Sequence, residues 1–395
     1  MKTAETKQWD HAYIEHTYAR YDLVVEQGRG AVCRDPRGKE YVDFSSGIGV
    51  NTLGFCDPGW VAAVTAQLGR VQHISNLYYT RPGAELARLL CENSGLQKVF
   101  FANSGAEANE GAIKAARKYS RDKYGPGRHQ ILTLQNSFHG RTLATLSATG
   151  QAGFHQHFDP FPEGFAYVPA GEFAALQAAI TPQTCAIMVE LIQGEGGVVP
   201  LESDYILRLA ELCAQRDILL LVDEVQTGMG RTGTLFCYQN YGIAPDIVTA
   251  AKGLGGGLPI GAVLFGSKAA GVLKPGDHGS TFGGNPVACA GGCEVVRRLT
   301  QTDLLLQVVQ KGEAIRRALL TLPQVGQVAG RGLMLGIETP GLDARQVASA
   351  CLKEGLIVLT AKTKVRFLPP LTITYEEIDR GMAAFTQALK KAAGQ

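Results

Sequence analysis

The sequence lacks any long hydrophobic run, any marked excess of charge and any closely spaced pair of cysteines. No apolar stretch reaches the ~18 to 20 residues of a membrane span, and the N-terminus lacks the apolar core of a signal peptide. We therefore expect a cytoplasmic protein without a membrane partner. The 38 basic and 36 acidic residues give a formal net charge of +2, which provides no electrostatic basis for binding a nucleic acid. Nine cysteines without a CxxC pair favour free thiols over disulfides or a metal site.

The sequence contains 45% hydrophobic residues over 395 positions, enough for a large core in two or three lobes. Short apolar segments alternate with amphipathic helical patterns through the middle of the chain, including a helix predicted over 203–216. This alternation is typical of an α/β fold with a mainly parallel sheet and crossover helices. The predicted strands cover 98–101, 130–134, 186–190, 218–222 and 246–250.

The two ends of the chain differ from this pattern. Residues 30–43 predict a hairpin that turns at Asp35-Pro36-Arg37-Gly38. The last helix is predicted to begin at a capping box, Thr374-Tyr375-Glu376-Glu377. The simplest organisation is a large central domain over 51–290 and a smaller α+β domain built from both chain ends, residues 1–50 and 291–395.

Two predicted strands end in side chains that carry chemistry. One apolar run ends at Asp223, and the next ends at Lys252, which opens a glycine-rich stretch. Their separation of 29 positions allows one connection between neighbouring strands, so both side chains would lie at the carboxyl edge of the sheet, where α/β folds bind ligands. A carboxylate and a lysine in this arrangement are the two fixed contacts that pyridoxal phosphate requires. Taken alone, a lysine before glycines is more often a solvated loop residue.

A third candidate element follows the predicted strand over 98–101. Ser104 and Glu107 have the spacing of a capping box, ahead of a helix predicted over 108–120. Ser104, Gly105 and Ala106 would then offer free backbone N–H groups and the positive end of the helix dipole to a phosphate. An ordinary capped helix without a ligand is the alternative.

One glycine motif is misleading. Residues 228–233 match G-x-G-x-x-G, the pattern of a dinucleotide-binding turn. That reading requires the first glycine to close a strand and the last to open a helix. Five residues separate Gly228 from Val222, and Thr234-Leu235-Phe236-Cys237-Tyr238 has no helical pattern. We interpret the motif as a flexible loop near the active site.

Five motifs, in this order along essentially the whole chain, resemble those of the class III, fold-type I, pyridoxal phosphate-dependent aminotransferases. Within that family the chain is most similar to the acetylornithine aminotransferases. The motifs are Asn103-Ser104-Gly105-Ala106-Glu107-Ala108-Asn109, Phe138-His139-Gly140-Arg141-Thr142, Asp223-Glu224-Val225-Gln226-Thr227-Gly228, Lys252-Gly253 and Thr281-Phe282-Gly283-Gly284-Asn285-Pro286.

The resemblance implies a role for each cofactor contact. Lys252 would be the Schiff-base lysine and would move the proton, and Asp223 would keep the pyridinium nitrogen protonated. Ser280 and Thr281 would complete the site from a second subunit, which implies a homodimer with shared active sites. The remaining contacts would be Phe138 against the ring, Gln226 at its phenolic oxygen, and Ser104, Gly105 and Ala106 at the phosphate.

The same resemblance implies two carboxylate-binding residues. Arg141 would hold the α-carboxylate of the substrate, since a guanidinium offers two parallel hydrogen bonds. Arg366 would be masked by Glu195 until the 2-oxo acid arrives, which would let one site accept a terminal amine and then 2-oxoglutarate. A surface salt bridge is the alternative for this pair.

The expectation about the amine substrate rests on Gly47. Ornithine aminotransferases, which resemble the chain here, carry a tyrosine at this position that is associated with the free α-amino group of ornithine. A glycine leaves room for an N-acyl group. The chain also departs from the family, with Ala106 in place of a common threonine and Leu191 in place of a common proline. The first departure puts a side-chain hydroxyl on the phosphate in doubt.

The expected reaction transfers the terminal amino group of N2-acetylornithine to 2-oxoglutarate, giving N-acetylglutamate 5-semialdehyde and glutamate, a step of arginine biosynthesis. Succinyldiaminopimelate, ornithine, 4-aminobutyrate or an acyl-lysine are alternative amine donors. An aminomutase is a further alternative, against which Arg141 and the Glu195/Arg366 pair argue, because they serve two acids of different length. A catalytically silent binding protein is disfavoured by the presence of both Lys252 and Asp223.

Overall fold

The computed structural model describes residues 2–394 and contains twelve α-helices within them. The helices are α1 (Lys2–Tyr13), α2 (Ser46–Gly49), α3 (Pro58–Leu68), α4 (Arg81–Ser94), α5 (Gly105–Tyr124), α6 (Leu143–Ala148), α7 (Phe173–Ala179), α8 (Ser203–Arg216), α9 (Pro286–Thr300), α10 (Leu304–Leu319), α11 (Ala344–Lys353) and α12 (Tyr375–Ala392).

The strands form one large sheet and three smaller ones. They are β1 (Gln27–Arg29), β2 (Val32–Arg34), β3 (Glu40–Asp43), β4 (Lys98–Ala102), β5 (Gln130–Leu134), β6 (Phe165–Val168), β7 (Thr184–Val189), β8 (Ile192–Gln193), β9 (Val199–Pro200), β10 (Leu219–Asp223), β11 (Ile247–Ala250), β12 (Gly261–Phe265), β13 (Val328–Arg331), β14 (Met334–Ile337), β15 (Leu356–Ile357), β16 (Leu359–Ala361) and β17 (Lys364–Phe367).

The large sheet has the strand order β4-β12-β11-β10-β7-β5-β6. All of its neighbouring pairs are parallel except the two made by β12. Its central strands β7, β10 and β11 are buried along their whole length, as is typical of predominantly apolar strands in a parallel sheet. The prediction of a mainly parallel α/β sheet is confirmed, and each predicted strand lies within two residues of an observed one.

Strands β10 and β11 are parallel neighbours, with Asp223 opposite Thr249. Asp223 is the last residue of β10, and Lys252 follows β11 by two positions. The two side chains predicted to meet at one edge of the sheet therefore lie at adjacent strand ends. Lys252 has a φ of +41°, in the left-handed region that non-glycine residues rarely adopt and that is common at functional sites.

The chain ends come together in a second sheet, β1-β2-β3-β15, in which β15 from the C-terminal part pairs with β3. The predicted hairpin is present as β2 and β3, and α12 begins after the Thr374 cap as expected. We propose the division 1–50, 51–290 and 291–395 for the domains. Helix α9 crosses residue 290 and packs against α3 and α4 of the central part.

The loop over 228–233 is packed rather than flexible, so that prediction is wrong. Arg231 is buried, and its guanidinium donates to the carbonyls of Leu333 (3.1 Å) and Pro369 (2.5 Å). A Cβ on Gly230 would approach the side chain of Leu299 to 2.5 Å. The glycines of this loop serve close packing against the C-terminal part of the chain.

Across residues 2–394, none of the helices combines the length and the apolar character that crossing a lipid bilayer requires.

Candidate active site

A cavity of about 450 Å³ opens at the carboxyl ends of β10 and β11. It is the space in which the two strand ends, the start of α5 and the segment after β5 face one another. Nine of the predicted site residues line it: Ser104, Gly105, Ala106, Phe138, Arg141, Glu195, Asp223, Gln226 and Lys252.

Asp223 is the most constrained side chain of the cavity, and only 4% of it is exposed. Its Oδ2 accepts from Asn109 Nδ2 at 2.8 Å and lies 2.8 Å from His139 Nδ1, while its Oδ1 accepts from the backbone N–H of Val225 at 3.0 Å. Asn109 in turn accepts from Thr249 Oγ1 at 2.7 Å. Since Oδ2 has both side-chain donors, Oδ1 is the oxygen with capacity left for a ligand.

His139 is fully buried, and its Nε2 has no partner among the described residues. Burial opposes a charge on this ring, but the hydrogen bond and the negative charge of Asp223 outweigh it and raise the pKa of His139. Asn109 and His139 were both inside motifs of the sequence, yet no role was predicted for them. Their contacts make them supports of the Asp223 carboxylate.

Lys252 lines the cavity just after the neighbouring strand β11. Burial lowers the pKa of its ammonium. The negative charge of Glu195 opposes this shift, and the nearby positive charge of Arg366 adds to it. A larger neutral fraction follows, which is the form in which an amine acts as a nucleophile or a base.

The start of α5 forms one wall. Ser104 caps the helix by accepting from the backbone N–H of Glu107 at 3.2 Å, and the Glu107 carboxylate accepts from the backbone N–H of Asn103 at 2.8 Å. The predicted cap is present, although its return bond reaches Asn103 rather than Ser104. The N–H groups of Gly105 and Ala106 are left at the positive end of a 20-residue helix.

The glycines of this wall make room for a ligand and for close packing. A Cβ on Gly105 would lie 2.8 Å from Val225 Cγ1, and one on Gly140 would lie 2.4 Å from Thr145 Oγ1. Gly140 also has a φ of +143°, which disfavours other residues. Side chains at these positions would disturb the cradle formed by α5 and the 138–141 segment.

Phe138 and Arg141 form the outer wall together with Phe154. Phe138 packs edge-on against Phe154, with ring centroids 5.8 Å apart. The guanidinium carbon of Arg141 lies 4.2 Å from the Phe154 ring centroid and 5.7 Å from that of Phe138. Arg141 is exposed to the cavity mouth, where a carboxylate could reach it. Phe154 was not predicted, because its short 3₁₀ segment, Ala152–Phe154, carries no periodic pattern.

Glu195 lines the cavity and pairs with Arg366, which lies behind the cavity lining. Arg366 Nη1 donates to Glu195 Oε1 at 2.7 Å and to Gln226 Oε1 at 3.1 Å, and only 3% of the Arg366 side chain is exposed. Gln226 Nε2 also donates to Glu195 at 3.3 Å. Burial would raise the pKa of Glu195, but the charge and hydrogen bond of Arg366 outweigh it and lower that pKa.

A third carboxylate, Glu190, lines the cavity and was not predicted to be functional. It follows β7 directly, as Asp223 ends β10, so the same pattern of an apolar strand ending in a carboxylate was available in the sequence. Burial raises the pKa of Glu190 to about 7.

Ser280, Thr281 and Gly47 do not line the cavity. Ser280 accepts from Asn103 Nδ2 at 3.1 Å, behind the cavity wall, and Thr281 is exposed. Gly47 has a φ of +60° and lines a neighbouring cavity, three residues before Val50, which lines the site.

Within residues 2–394, no three His, Cys, Asp or Glu side chains are grouped as metal ligands would be. The chemistry is instead that of an amine, a supported carboxylate and a helix N-terminus around one cavity. A comparison with known proteins agrees with this arrangement: the family model for class III aminotransferases matches residues 13–389.

The chain belongs to the class III aminotransferases. An acetylornithine aminotransferase from Haemophilus ducreyi is 52% identical over 393 residues, which cover 99% of this chain and 100% of that protein. Another from Caldanaerobacter subterraneus is 47% identical, covering 97% of this chain and 98% of that protein. Both relatives therefore span essentially the whole chain.

Solved structures lead to the same family. An N-acetylornithine aminotransferase from Stenotrophomonas maltophilia superposes with a TM-score of 0.84 at 37% identity, covering 98% of this chain and 99% of that one. An ornithine aminotransferase from Toxoplasma gondii superposes with a TM-score of 0.94 at 33% identity, covering 99% and 96%. The expected fold-type I architecture and the family are confirmed.

Membership makes the protein a transaminase that uses pyridoxal phosphate, as predicted. The residues present fit this cofactor. The start of α5 offers two free N–H groups to a phosphate, Asp223 offers Oδ1 to a protonated ring nitrogen, and Lys252 offers an amine to an aldehyde. The close packing of Gly105 and Gly140 against their neighbours keeps the cradle between them free of side chains.

Proposed function

We propose that the enzyme transfers the terminal amino group of N2-acetylornithine to 2-oxoglutarate and so acts in arginine biosynthesis. The observation that carries this proposal is the ion pair between the buried Arg366 and the partly exposed Glu195 beside Lys252, with Arg141 at the cavity mouth. Arg141 is available to a ligand, whereas Arg366 is neutralised by Glu195. This arrangement suits a site that first accepts acetylornithine, which has one carboxylate, and then 2-oxoglutarate, which has two. The relatives named acetylornithine aminotransferases support this choice of amine.

In this proposal, each cofactor contact is assigned to a side chain or backbone group of the cavity. Asp223 holds the ring nitrogen, Phe138 lies against the ring, and Gln226 contacts its phenolic oxygen. Ser104, Gly105 and Ala106 hold the phosphate, through backbone N–H groups at the last two positions; Ala106 has no hydroxyl to add. When bound, pyridoxal phosphate supplies an electron sink for the substrate carbon that loses its proton.

Lys252 is the proposed base. Its lowered pKa makes the neutral amine more available, so its Nζ can take the proton from the amine-bearing carbon of the substrate and later return one. Asp223 accepts hydrogen bonds from Asn109 Nδ2 and the Val225 N–H, which hold its carboxylate in place for the ring nitrogen.

Arg141 and Arg366 divide the recognition of the acids. Arg141 binds the α-carboxylate of the amine substrate at the mouth, with two parallel hydrogen bonds, which leaves the terminal amine at the far end free to reach Lys252. With the amine substrate, Glu195 keeps Arg366 neutralised, so no positive charge opposes the terminal amine. With 2-oxoglutarate, the reacting carbonyl carbon is bonded to the α-carboxylate, so that carboxylate replaces Glu195 on Arg366 and the distal carboxylate takes Arg141.

Gly47 is the proposed position that admits the N-acyl group. A Cβ there would meet only Asn51 Nδ2, at 3.8 Å, so the backbone leaves open space beside Val50. Gly47→Tyr should lower kcat/KM for acetylornithine relative to ornithine, while Gly47→Ala, which shares the left-handed strain but not the bulk, should change this ratio little. An equal effect of both variants would remove the role.

We also propose a homodimer, to which Ser280 and Thr281 of each subunit contribute at the other's site. Asn76 Nδ2 holds the 280–283 loop by donating to the carbonyls of Ser280 (2.9 Å) and Gly283 (2.8 Å). Exposed apolar side chains surround this loop, with 87% of Leu77 and 60% of Phe282 accessible. Mixing a Lys252→Ala subunit with a Thr281→Ala subunit tests the arrangement, because mixed dimers would regain one intact site.

Location in the cytoplasm belongs to the same proposal. All nine cysteines are free thiols, seven of them buried, as suits a reducing compartment.

The deciding experiment is an absorbance titration of the purified holoenzyme with acetylornithine, ornithine and 4-aminobutyrate in separate series. We expect the cofactor band to be converted at the lowest concentration by acetylornithine and to be restored by 2-oxoglutarate. Conversion at lower concentration by another amine would overturn the substrate assignment.

A further inference from the structure

Glu190 is a buried carboxylate for which the proposed reaction has no use. It is 6% exposed and lines the active-site cavity, and within residues 2–394 its hydrogen bonds come from backbone N–H groups rather than from a cationic side chain. Burying a carboxylate is costly even with the charge of His139 nearby, so we infer that its hydrogen bonds serve to hold something in place.

The two oxygens of Glu190 bind two different segments. Oε1 accepts from the backbone N–H of Phe138 at 2.7 Å, and Oε2 accepts from the backbone N–H of Gly194 at 3.2 Å. The first segment continues to Arg141, and the second continues directly to Glu195. The Glu190 side chain therefore connects the Phe138–Arg141 segment to the turn that carries Glu195.

Gly194 has little freedom to move toward the cavity on its other side. A Cβ on Gly194 would lie 2.3 Å from Gln226 Oε1, so the backbone passes directly against the side chain that bonds both Glu195 and Arg366. A second hydrogen bond joins the same two parts of the chain away from the cavity lining: Gln193 Nε2 donates to the carbonyl of Gln135 at 2.8 Å. Glu190 provides the link at the cavity itself.

We propose that Glu190 is a positioning residue that fixes the Glu195 turn relative to the Phe138–Arg141 segment and thereby sets the preference between the amine and the 2-oxo acid. The preference part of this inference rests on the proposed function, whereas the structural link does not. Glu195 neutralises Arg366 only while its backbone is held, so a loosened turn should expose Arg366 to a second carboxylate.

A carboxylate is required because both partners are N–H donors. Glu190→Gln keeps one acceptor, which should remain on the closer Phe138 N–H, while its NH2 group faces the Gly194 N–H and leaves that group without an acceptor. Glu190→Ala removes both bonds. The two variants should therefore loosen different parts of the site.

The matched control is Glu224, a buried carboxylate outside the cavity lining. It accepts from Thr227 Oγ1 at 2.6 Å and from the backbone N–H of Tyr238 at 2.8 Å, and burial raises its pKa to about 7, as for Glu190. Glu224→Gln should therefore carry a comparable structural penalty without touching either segment.

The test is hydrogen–deuterium exchange on the holoenzyme, followed by kinetics. In Glu190→Gln we expect exchange at 194–198 to rise about tenfold and exchange at 136–141 to stay as in the parent, whereas Glu190→Ala raises both. The ratio of kcat/KM for acetylornithine to that for 2-oxoglutarate should fall about fivefold or more in Glu190→Gln and stay unchanged in Glu224→Gln.

Unchanged exchange at 194–198 in Glu190→Gln, a rise spread over the whole chain, or an unchanged substrate ratio would each overturn the inference. If Glu190→Ala does not fold, Glu190→Gln decides alone. Failure of the proposed function would look different, because acetylornithine would then be a poor substrate of the parent enzyme while the exchange pattern stayed as expected.

Discussion

The guanidinium of Arg366 lies 2.7 Å from the carboxylate of Glu195 in a place where only 3% of the arginine side chain is exposed. The cation is thus neutralised inside the protein, while 30% of the Glu195 side chain remains accessible and free to leave. Removing one partner of a buried ion pair leaves an uncompensated charge, which a ligand carboxylate can neutralise in its place. The pair is therefore suited to be opened by a dicarboxylic acid.

Glu195→Gln should shift the enzyme toward that acid. We expect the KM for 2-oxoglutarate to fall and kcat/KM for the amine to fall about tenfold, since about 1.4 kcal/mol of unfavourable charge then faces the terminal amine. Steady-state rates with each substrate varied in turn measure the KM for 2-oxoglutarate and the kcat/KM for the amine. Equal losses for the two substrates would argue for a purely structural pair.

Asn109→Ala should lower kcat with little change in KM. Asn109 holds Asp223 Oδ2 at 2.8 Å, and a hydrogen bond to a charged group contributes about 1.5–3 kcal/mol, so a loss of about 10- to 100-fold is expected. Thr249→Val is the control, because it removes the 2.7 Å bond to Asn109 and leaves the Asp223 contact in place. A larger effect in the control than in Asn109→Ala would contradict this order of support.

Phe154→Ala should weaken the binding of both acids through Arg141. The guanidinium carbon lies 4.2 Å from the Phe154 ring centroid, and exposed cation–π contacts contribute about 0.5–1 kcal/mol, so KM should rise about two- to fivefold with kcat nearly unchanged. Phe154→Tyr keeps an aromatic face and should restore the parent values. A drop in kcat alone would instead place Phe154 in support of the ring.

Local sequence patterns predicted the elements that depend on neighbouring residues. Uninterrupted apolar runs located the buried strands, and the caps at Ser104 and Thr374 located the starts of α5 and α12. The adjacency of Asp223 and Lys252 followed from strand ends in a parallel sheet. In each case the determining interactions lie within one element or between neighbouring strands.

Contacts between segments that are distant in the chain left no comparable pattern in the amino-acid sequence. Glu195 and Arg366 are 171 residues apart, and only the family resemblance suggested their meeting. Phe154 reaches Arg141 through the packing of an irregular segment, and Arg231 makes the glycine loop rigid by bonding carbonyls about a hundred residues away or more. Such contacts depend on tertiary packing, which overrides local preference.

Asp217 should make stability depend on pH in strong acid. It follows α8 and accepts from Lys123 Nζ at 2.8 Å, from Tyr119 at 3.1 Å and from Tyr124. Burial would raise its pKa, but these hydrogen bonds and the charge of Lys123 outweigh it and lower the pKa to about 2. The ionised form is thus favoured by folding.

Because the folded pKa lies below the unfolded value of 3.8, this stabilisation is fully present above that pH and is lost as the pH falls toward 2. Its size is about 2 kcal/mol. Asp217→Asn should lower the thermal midpoint at pH 7 by about 2–4 °C, and the gap to the parent should close as the pH falls below 4. Asparagine tolerates the φ of +49° at this position, so backbone strain does not confuse the comparison. A gap that stayed constant down to pH 2 would show that lost packing, rather than lost charge, destabilises the variant.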